Sequence, residues 1–374
     1  MTTADSYWLA ESAPPIPERR LDGPADVVVV GGGVTGCAAA LALAEAGLRV
    51  RLHDAREIAG GASGRNGGFA LRGGAAPYDV TAESLGREQA RRLWRLTEQA
   101  LDRIESLAGD AFQRTGSLRL AADGEERDAL RAEYELFRED GFEAEWLDEP
   151  FDGRFRAAIF HPGDAALQPA RWVRRLAVLA AEAGVEIREH SRVESLDDVD
   201  AGRVLVATDG YPSGLLGQIE GLIVPTRGQM IATEPLPGRI FDCPHYGRHG
   251  FDYWQQTPDG RVLAGGFRDW ALDSEFTAVE ETTAQIQGAL ESFVADLVGR
   301  RVAVDYRWAG IFGLVLDFLP VVGRVPGGER TWVAGGYSGH GNVLGLMCGE
   351  LVARSMLGDE PPELVWFDPA RLLL

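Results

Sequence analysis

Three glycines, Gly31, Gly33 and Gly36, follow the apolar run Val27–Val30, and the carboxylate of Asp54 stands about 20 residues further on. Residues of those types at that spacing can hold a dinucleotide. Gly31 permits the sharp exit from a strand, Gly33 lets backbone approach a pyrophosphate, and Gly36 lets a helix pack closely on the sheet. The helix that starts at Val34 and Thr35 offers free N–H groups and a partial positive charge to phosphate. Asp54, followed by Ala55 and Arg56, ends the second strand, where a carboxylate accepts hydrogen bonds from ribose hydroxyls and would repel a 2′-phosphate. The expected ligand therefore contains an adenosine diphosphate half. The competing reading is a βαβ unit without a nucleotide, and strand, helix, second strand and acid in register argue against it.

This unit alone does not separate FAD from NAD. Two further loops bear on the choice. Residues 60–68 read GGASGRNGG, too polar and glycine-rich for a strand or helix, with Gly61, Ala62, Ser63, Arg65, Asn66, Gly67 and Gly68 as candidate cofactor contacts. Residues 334–342 read AGGYSGHGN between a strand at Thr331–Val333 and an apolar helix expected over Val343–Leu357, and offer Gly336, Tyr337, Ser338, Gly339, His340, Gly341 and Asn342. Two such loops at opposite ends of a chain suit a long ligand stretched across one domain. The pairing resembles the D-amino-acid-oxidase-like superfamily of FAD oxidoreductases (glycine and sarcosine oxidase type), most closely its γ-glutamylputrescine-oxidase-like branch. The resemblance continues through Ser6–Trp8, His161–Trp172, Val206–Pro212, Arg227–Leu236, Tyr253–Asp269 and Trp308–Gly323, nearly the whole chain. It implies FAD as cofactor, with Val193, Thr208, Gly210 and Gly310 added to the contacts above.

For the reaction, the resemblance implies removal of a hydride from the carbon beside a neutral amine nitrogen, with FAD as acceptor. His340, with the amides of Gly339–Asn342 at a helix start, is the expected stabiliser of negative charge on the reduced flavin; the alternative is a loop histidine that only caps the helix. Amino-acid oxidases of this kind hold the substrate carboxylate with an arginine soon after a WAG motif, and here Phe312 stands where that arginine would fall. Arg268 and Arg72 are the candidate replacements, each of which could instead be an ordinary ion-paired arginine. Tyr253 and Phe312 are expected to wall the cavity, Tyr253 with a hydroxyl to orient substrate, and Trp308 and Tyr246 join them as candidate substrate contacts.

All 37 basic residues are arginine; the chain has no lysine. A Schiff-base lysine, a phosphate-loop lysine and a lysine general base are thereby excluded. The oxygen-activating lysine of monomeric sarcosine oxidase aligns with Ala264, and the cysteine that carries its flavin aligns with Gly310, so FAD is expected to be non-covalent. Oxygen is the expected electron acceptor, and a quinone or carrier protein is the alternative. An NAD-linked dehydrogenase and a non-catalytic flavin subunit of a larger complex are the readings from other classes.

The 374 residues carry a net charge of −20, which argues against nucleic acid or an anionic membrane as partner. No apolar run approaches the ~20 residues of a spanning helix, and no leader segment is evident, so a cytoplasmic location is expected. Self-association into a homo-oligomer is left open. Cys37, Cys243 and Cys348 have no metal spacing and suggest buried packing, and no metal site is expected.

The elements that must position these residues alternate along the chain. After a proline-rich lead-in, the sequence predicts a Rossmann unit, a helix over Glu83–Leu107, a strand Ser117–Ala121, helices Glu125–Asp140 and Pro169–Ala183, and a strand Val185–Glu189. From Ile223 to Arg307 the pattern is strand-rich, with a hairpin turn at Asp259–Gly260 and one helix at about Ala278–Val298. Val193 and Val204 are joined by a short link where the family builds a longer excursion. The expected fold combines α/β and α+β parts: a discontinuous Rossmann-like FAD-binding domain (21–80, 150–222, 305–374) and a substrate domain on an antiparallel sheet flanked by helices (81–149, 223–304).

Overall fold

The computed structural model describes residues 6–373. The valine-rich strand Ala25–Val30 lies inside a six-stranded sheet, between Ala201–Val206 and Val50–His53, with Glu186–Arg188 beyond one neighbour and Thr331–Gly335 and Val321–Arg324 beyond the other. All pairings are parallel except that of the edge strand Val321–Arg324. A parallel sheet must be covered on both faces, which accounts for its continuous apolar runs. The helix Val34–Glu45 covers one face and is itself enclosed by Pro169–Glu182 and Gly341–Leu357. Its small residues Cys37, Ala38, Ala39 and Ala40 are buried, and across from them a Cβ at Gly349 would stand 2.7 Å from the Thr35 carbonyl oxygen. Small residues on both partners thus set how closely the helices approach.

The second layer is an eight-stranded sheet in the order Val304–Leu314, Val224–Pro235, Arg261–Gly266, Asp252–Gln256, His245–Gly247, Ser117–Ala121, Ala157–His161, Glu145–Asp148. It is antiparallel apart from the pairing of His245–Gly247 with Ser117–Ala121. A small sheet of Phe69–Ala70, Ala165–Leu167 and Phe112–Gln113 joins the two parts. The fold is therefore a Rossmann-like layer with a largely antiparallel layer beside it.

Several elements depart from the sequence reading. The helix expected over Glu83–Leu107 is two helices, Tyr78–Leu85 and Arg87–Ala108, broken at Gly86, whose φ of 97° no right-handed helix accommodates. The helix expected from Ala278 starts only at Ala284. Ala157–His161, and Val304–Leu314 from its second residue on, fall within the expected FAD-binding segments and lie in the large sheet, where they pair with Ser117–Ala121 and along Val224–Thr233. The short link after Val193 forms a single 3-10 turn, Leu196–Asp198, before the strand Ala201–Val206. No described helix is long and apolar enough to cross a membrane.

Candidate active site

A cavity of 670 Å³ runs from the glycine turns of the parallel sheet to the face of the large sheet. At its first end, Gly31 has a φ of 112° and a Cβ there would lie 2.5 Å from the Ala207 carbonyl oxygen. At Gly36 an added Cβ would lie 1.8 Å from the Gly31 carbonyl oxygen. Gly33 differs: the atoms near its missing Cβ belong to Ser63 alone, so the backbone there is open to a ligand. Asp54 closes the unit, accepting hydrogen bonds from the backbone N–H of Gly32 (2.6 Å) and of Arg56 (2.7 Å), while burial pushes its pKa up against those bonds.

The two distant glycine loops meet here. Asn66 and Asn342, 276 residues apart, exchange side-chain amide hydrogen bonds of 3.1 and 3.0 Å, and Asn342 also donates to the Phe69 carbonyl at 2.7 Å. Two indoles hold the first loop from outside: Trp8 donates to the Asn66 carbonyl at 2.7 Å and Trp308 to the Arg65 carbonyl at 2.9 Å. A residue that the sequence reading did not single out ties three strand ends together. Asp209, half-buried and in the left-handed region (φ 49°), accepts from Gly336 N at 2.7 Å and Gly313 N at 3.0 Å. Its place directly after the Ala201–Val206 strand, in a TDG turn, was the available signal.

Of the expected cofactor contacts, Gly36, Gly68, Gly210 and Gly336 do not line the cavity; the others do. Those four are spacing residues. A Cβ at Gly68 would press on Leu167 and Gln255, one at Gly210 on the Phe312 backbone, and one at Gly336 on Val315. Trp308, expected as a substrate contact, lies outside the cavity wall, and its indole donates to the Arg65 carbonyl. Arg72 lines the cavity, yet its guanidinium is engaged by Glu98 (3.1 Å), the Glu143 carbonyl and His161 Nδ1 (2.9 Å).

His340 precedes the helix Gly341–Leu357 and lines the cavity with its Nδ1 buried and without a protein partner. Burial pulls its pKa down to about 4, so the ring is neutral at physiological pH. An orphaned ring nitrogen beside Gly339 and Gly341, with a glycine cradle at the far end and Asp54 beyond it, fits the flavin, pyrophosphate and ribose parts of FAD.

At the other end, Gly266 (φ 129°) and Phe267 (φ 60°) turn the chain sharply out of the strand Arg261–Gly266, and the next residue, Arg268, enters the cavity wall. Its guanidinium lies 4.5 Å from the Phe251 ring centroid and 5.8 Å from that of Phe312. Among the described residues it has no ion pair and no hydrogen bond, and desolvation lowers its pKa. Tyr253, Tyr246 and Phe312 line the cavity with it. Burial pushes the Tyr253 hydroxyl up to about 12. Phe251, one of the aromatic cluster around Tyr253 in the sequence, also lines the space, and sequence reasoning missed Arg119, Glu133, His161 and Asp164, which do so too. Two of these left a signal: Arg119 is a charge between Leu118 and Leu120 in a strand, and Glu133 is an acid on the buried stripe Leu130–Phe137 of an amphipathic helix.

This geometry defines a flavoprotein oxidoreductase, and comparison with known proteins places it. The family model described as "FAD dependent oxidoreductase" matches residues 26–355, and the chain belongs to that family. It is an FAD-dependent oxidoreductase of the amine and amino-acid oxidase type. A probable oxidoreductase, OrdL, of Rhizobium meliloti is 31% identical over 92% of this chain and 87% of its own length. The gamma-glutamylputrescine oxidoreductase of Escherichia coli is 29% identical over 89% and 84%. Among solved structures, glycine oxidase from Geobacillus kaustophilus superposes with a TM-score of 0.78, covering 94% of this chain and 99% of its own, at 23% identity.

Proposed function

We propose that the protein oxidises the C–N bond of an amine that carries a carboxylate, an amino acid or N-substituted amino acid, with oxygen as electron acceptor. The observation that carries this reading is Arg268, a partly desolvated cation in the cavity wall that makes no ion pair or hydrogen bond among the described residues. A guanidinium so placed is stabilised by an anionic ligand and offers a fork that matches a carboxylate. The relatives named for glycine and for γ-glutamylputrescine support an amine as the reacting group.

Bound FAD supplies the hydride acceptor at N5. Gly31, Gly33, Asp54, Ser63 and Asn66 hold its adenosine and pyrophosphate side, and Gly310, Tyr337 and His340 its other end, without a thioether link, since none of the cysteines lines the cavity. Arg268 fixes the carboxylate of the substrate. The Phe251 and Phe312 rings exclude water around it. The Tyr253 hydroxyl stays protonated throughout the working range and donates a hydrogen bond to orient the substrate. Arg268 also supplies a fixed positive charge for reduction of oxygen, in place of a lysine.

The test is anaerobic bleaching of the yellow holoenzyme by N-methyl amino acids, D-amino acids, γ-glutamyl amines and polyamines, followed by admission of air. Bleaching by the carboxylate-bearing amines, with fast recovery and peroxide, is expected. Bleaching by polyamines alone overturns the carboxylate reading, and slow recovery in air overturns oxygen as acceptor.

A further inference from the structure

Beyond Arg268 the cavity continues along the sheet to a second arginine. Tyr253 pairs in register with Tyr246, and Tyr246 with Arg119. Residues directly opposite one another in a sheet share a face, so these three form one row, and all three line the cavity. With strands ~4.8 Å apart, Arg119 stands two spacings, or ~10 Å, from Tyr253.

The hydrogen-bonding inventory at that far end is one-sided. Arg119 donates from Nη1 to Glu133 Oε2, and among the described residues its Nε and Nη2 have no acceptor. The other Glu133 oxygen accepts from the backbone N–H of Tyr78 at 2.9 Å. Asp164, the second carboxylate there, accepts from Ser117 Oγ at 2.7 Å and from Arg72 N at 3.0 Å. Each oxygen of both acids thus already accepts a hydrogen bond from the protein. Tyr246 is half-buried, and its hydroxyl has no hydrogen-bond partner among the described residues. What faces the empty space is a set of donors around a fixed positive charge, which complements a carboxylate and not an ammonium.

Resting on the amine-oxidising function proposed above, we propose that Arg119 with Tyr246 is a second anion subsite, and that the substrate is a secondary amine bearing one carboxylate for Arg268 and another, on its N-substituent, for Arg119. Glu133 is a positioning residue: it fixes the guanidinium from the helix Gly124–Glu139 and leaves its other edge toward the ligand. The row Tyr253, Tyr246, Arg119 sets the length of that substituent.

The test compares N-(ω-carboxyalkyl)glycines with N-alkylglycines of matched length in the holoenzyme, by kcat/KM and by anaerobic flavin reduction. The diacids are expected to be favoured by roughly 10- to 100-fold, one charge-assisted hydrogen-bonding contact, with an optimum chain length. In Arg119→Gln that ratio should fall to about one, and in Arg119→Lys, which keeps the charge beside Glu133 but loses the fork, to an intermediate value. A ratio near one in the unaltered protein overturns the inference, as does a ratio that survives in the variants. Equal effects from free short carboxylates, with no gain on tethering, would make the anion a separate effector and overturn it too. If neither series reduces the flavin, the function proposed above fails, and quenching of Trp94, which lines the cavity, by the diacids still decides the role of Arg119.

Discussion

Replacing Arg268 by methionine separates binding from stability. Truncating one member of a buried ion pair usually costs about 3–5 kcal/mol because the other charge is stranded. Among the described residues Arg268 has no such partner, so its removal strands no paired charge. The stacking on Phe251 at 4.5 Å is lost, worth about 0.5–2 kcal/mol, and the relief of a desolvated lone cation opposes that loss. Folding stability should therefore change by no more than about 1 kcal/mol. Binding should suffer far more. Two charge-assisted hydrogen bonds from one guanidinium fork contribute about 3–4 kcal/mol, or roughly 10²- to 10³-fold in Kd. The assay is titration of the holoenzyme with a carboxylic acid that is not oxidised, followed by the perturbation of the flavin spectrum, with thermal unfolding in parallel. Arg268→Lys should fall between the two. A Kd altered less than about threefold would show that Arg268 does not hold the carboxylate, and a stability loss of several kcal/mol would show it to be a structural cation instead.

Three further substitutions test the frame around the site. Gly36→Ala places a Cβ 1.8 Å from the Gly31 carbonyl oxygen, where only backbone could yield, so the thermal midpoint should drop by the equivalent of about 2–3 kcal/mol and the flavin-to-protein ratio should fall; a variant with full flavin and an unchanged midpoint contradicts the packing argument. Asp54→Ala strips the acceptor from Gly32 N and Arg56 N and from the ribose, so FAD should dissociate at least ~10-fold more readily on dilution; unchanged retention would remove Asp54 from the cofactor site. His245 is stacked on Trp254 at 5.1 Å with Nδ1 unpartnered, and burial, outweighing the Cys243 backbone bond and the Asp242 charge, lowers its pKa from 6.5 to about 4. A depressed histidine favours the fold above the unfolded pKa, and this contribution, at most about 3 kcal/mol, is lost as pH falls from 6.5 through 4. His245→Phe should therefore show a shallower fall in thermal midpoint between pH 7 and 4, and an unaltered slope would count against it.

The sequence by itself determined the dinucleotide unit, because its parts lie within one short stretch and each glycine answers a local steric demand: a turn, a close approach, a helix pressed on a strand. It also pointed, through the two glycine loops, to one site built from both ends of the chain, and those loops do meet through Asn66 and Asn342. Only the tertiary structure decided what the remaining side chains face. Trp308 and Phe312 lie on the same side of one strand by strict alternation, yet Phe312 walls the cavity while Trp308, further along, meets the Arg65 carbonyl. Gly210 and Gly336 belong to glycine-containing turns after strands, but their missing side chains make room for protein and not for ligand. Arg119 and Glu133 sit on a strand and a helix that pair only when the helix Gly124–Glu139 packs beside the sheet, and Asp209 joins three strand ends that are far apart along the chain. Periodicity states which residues share a face, and local sterics state where a chain must turn. Which faces come together, and which polar groups are then left without partners, depends on long-range packing that no local pattern encodes.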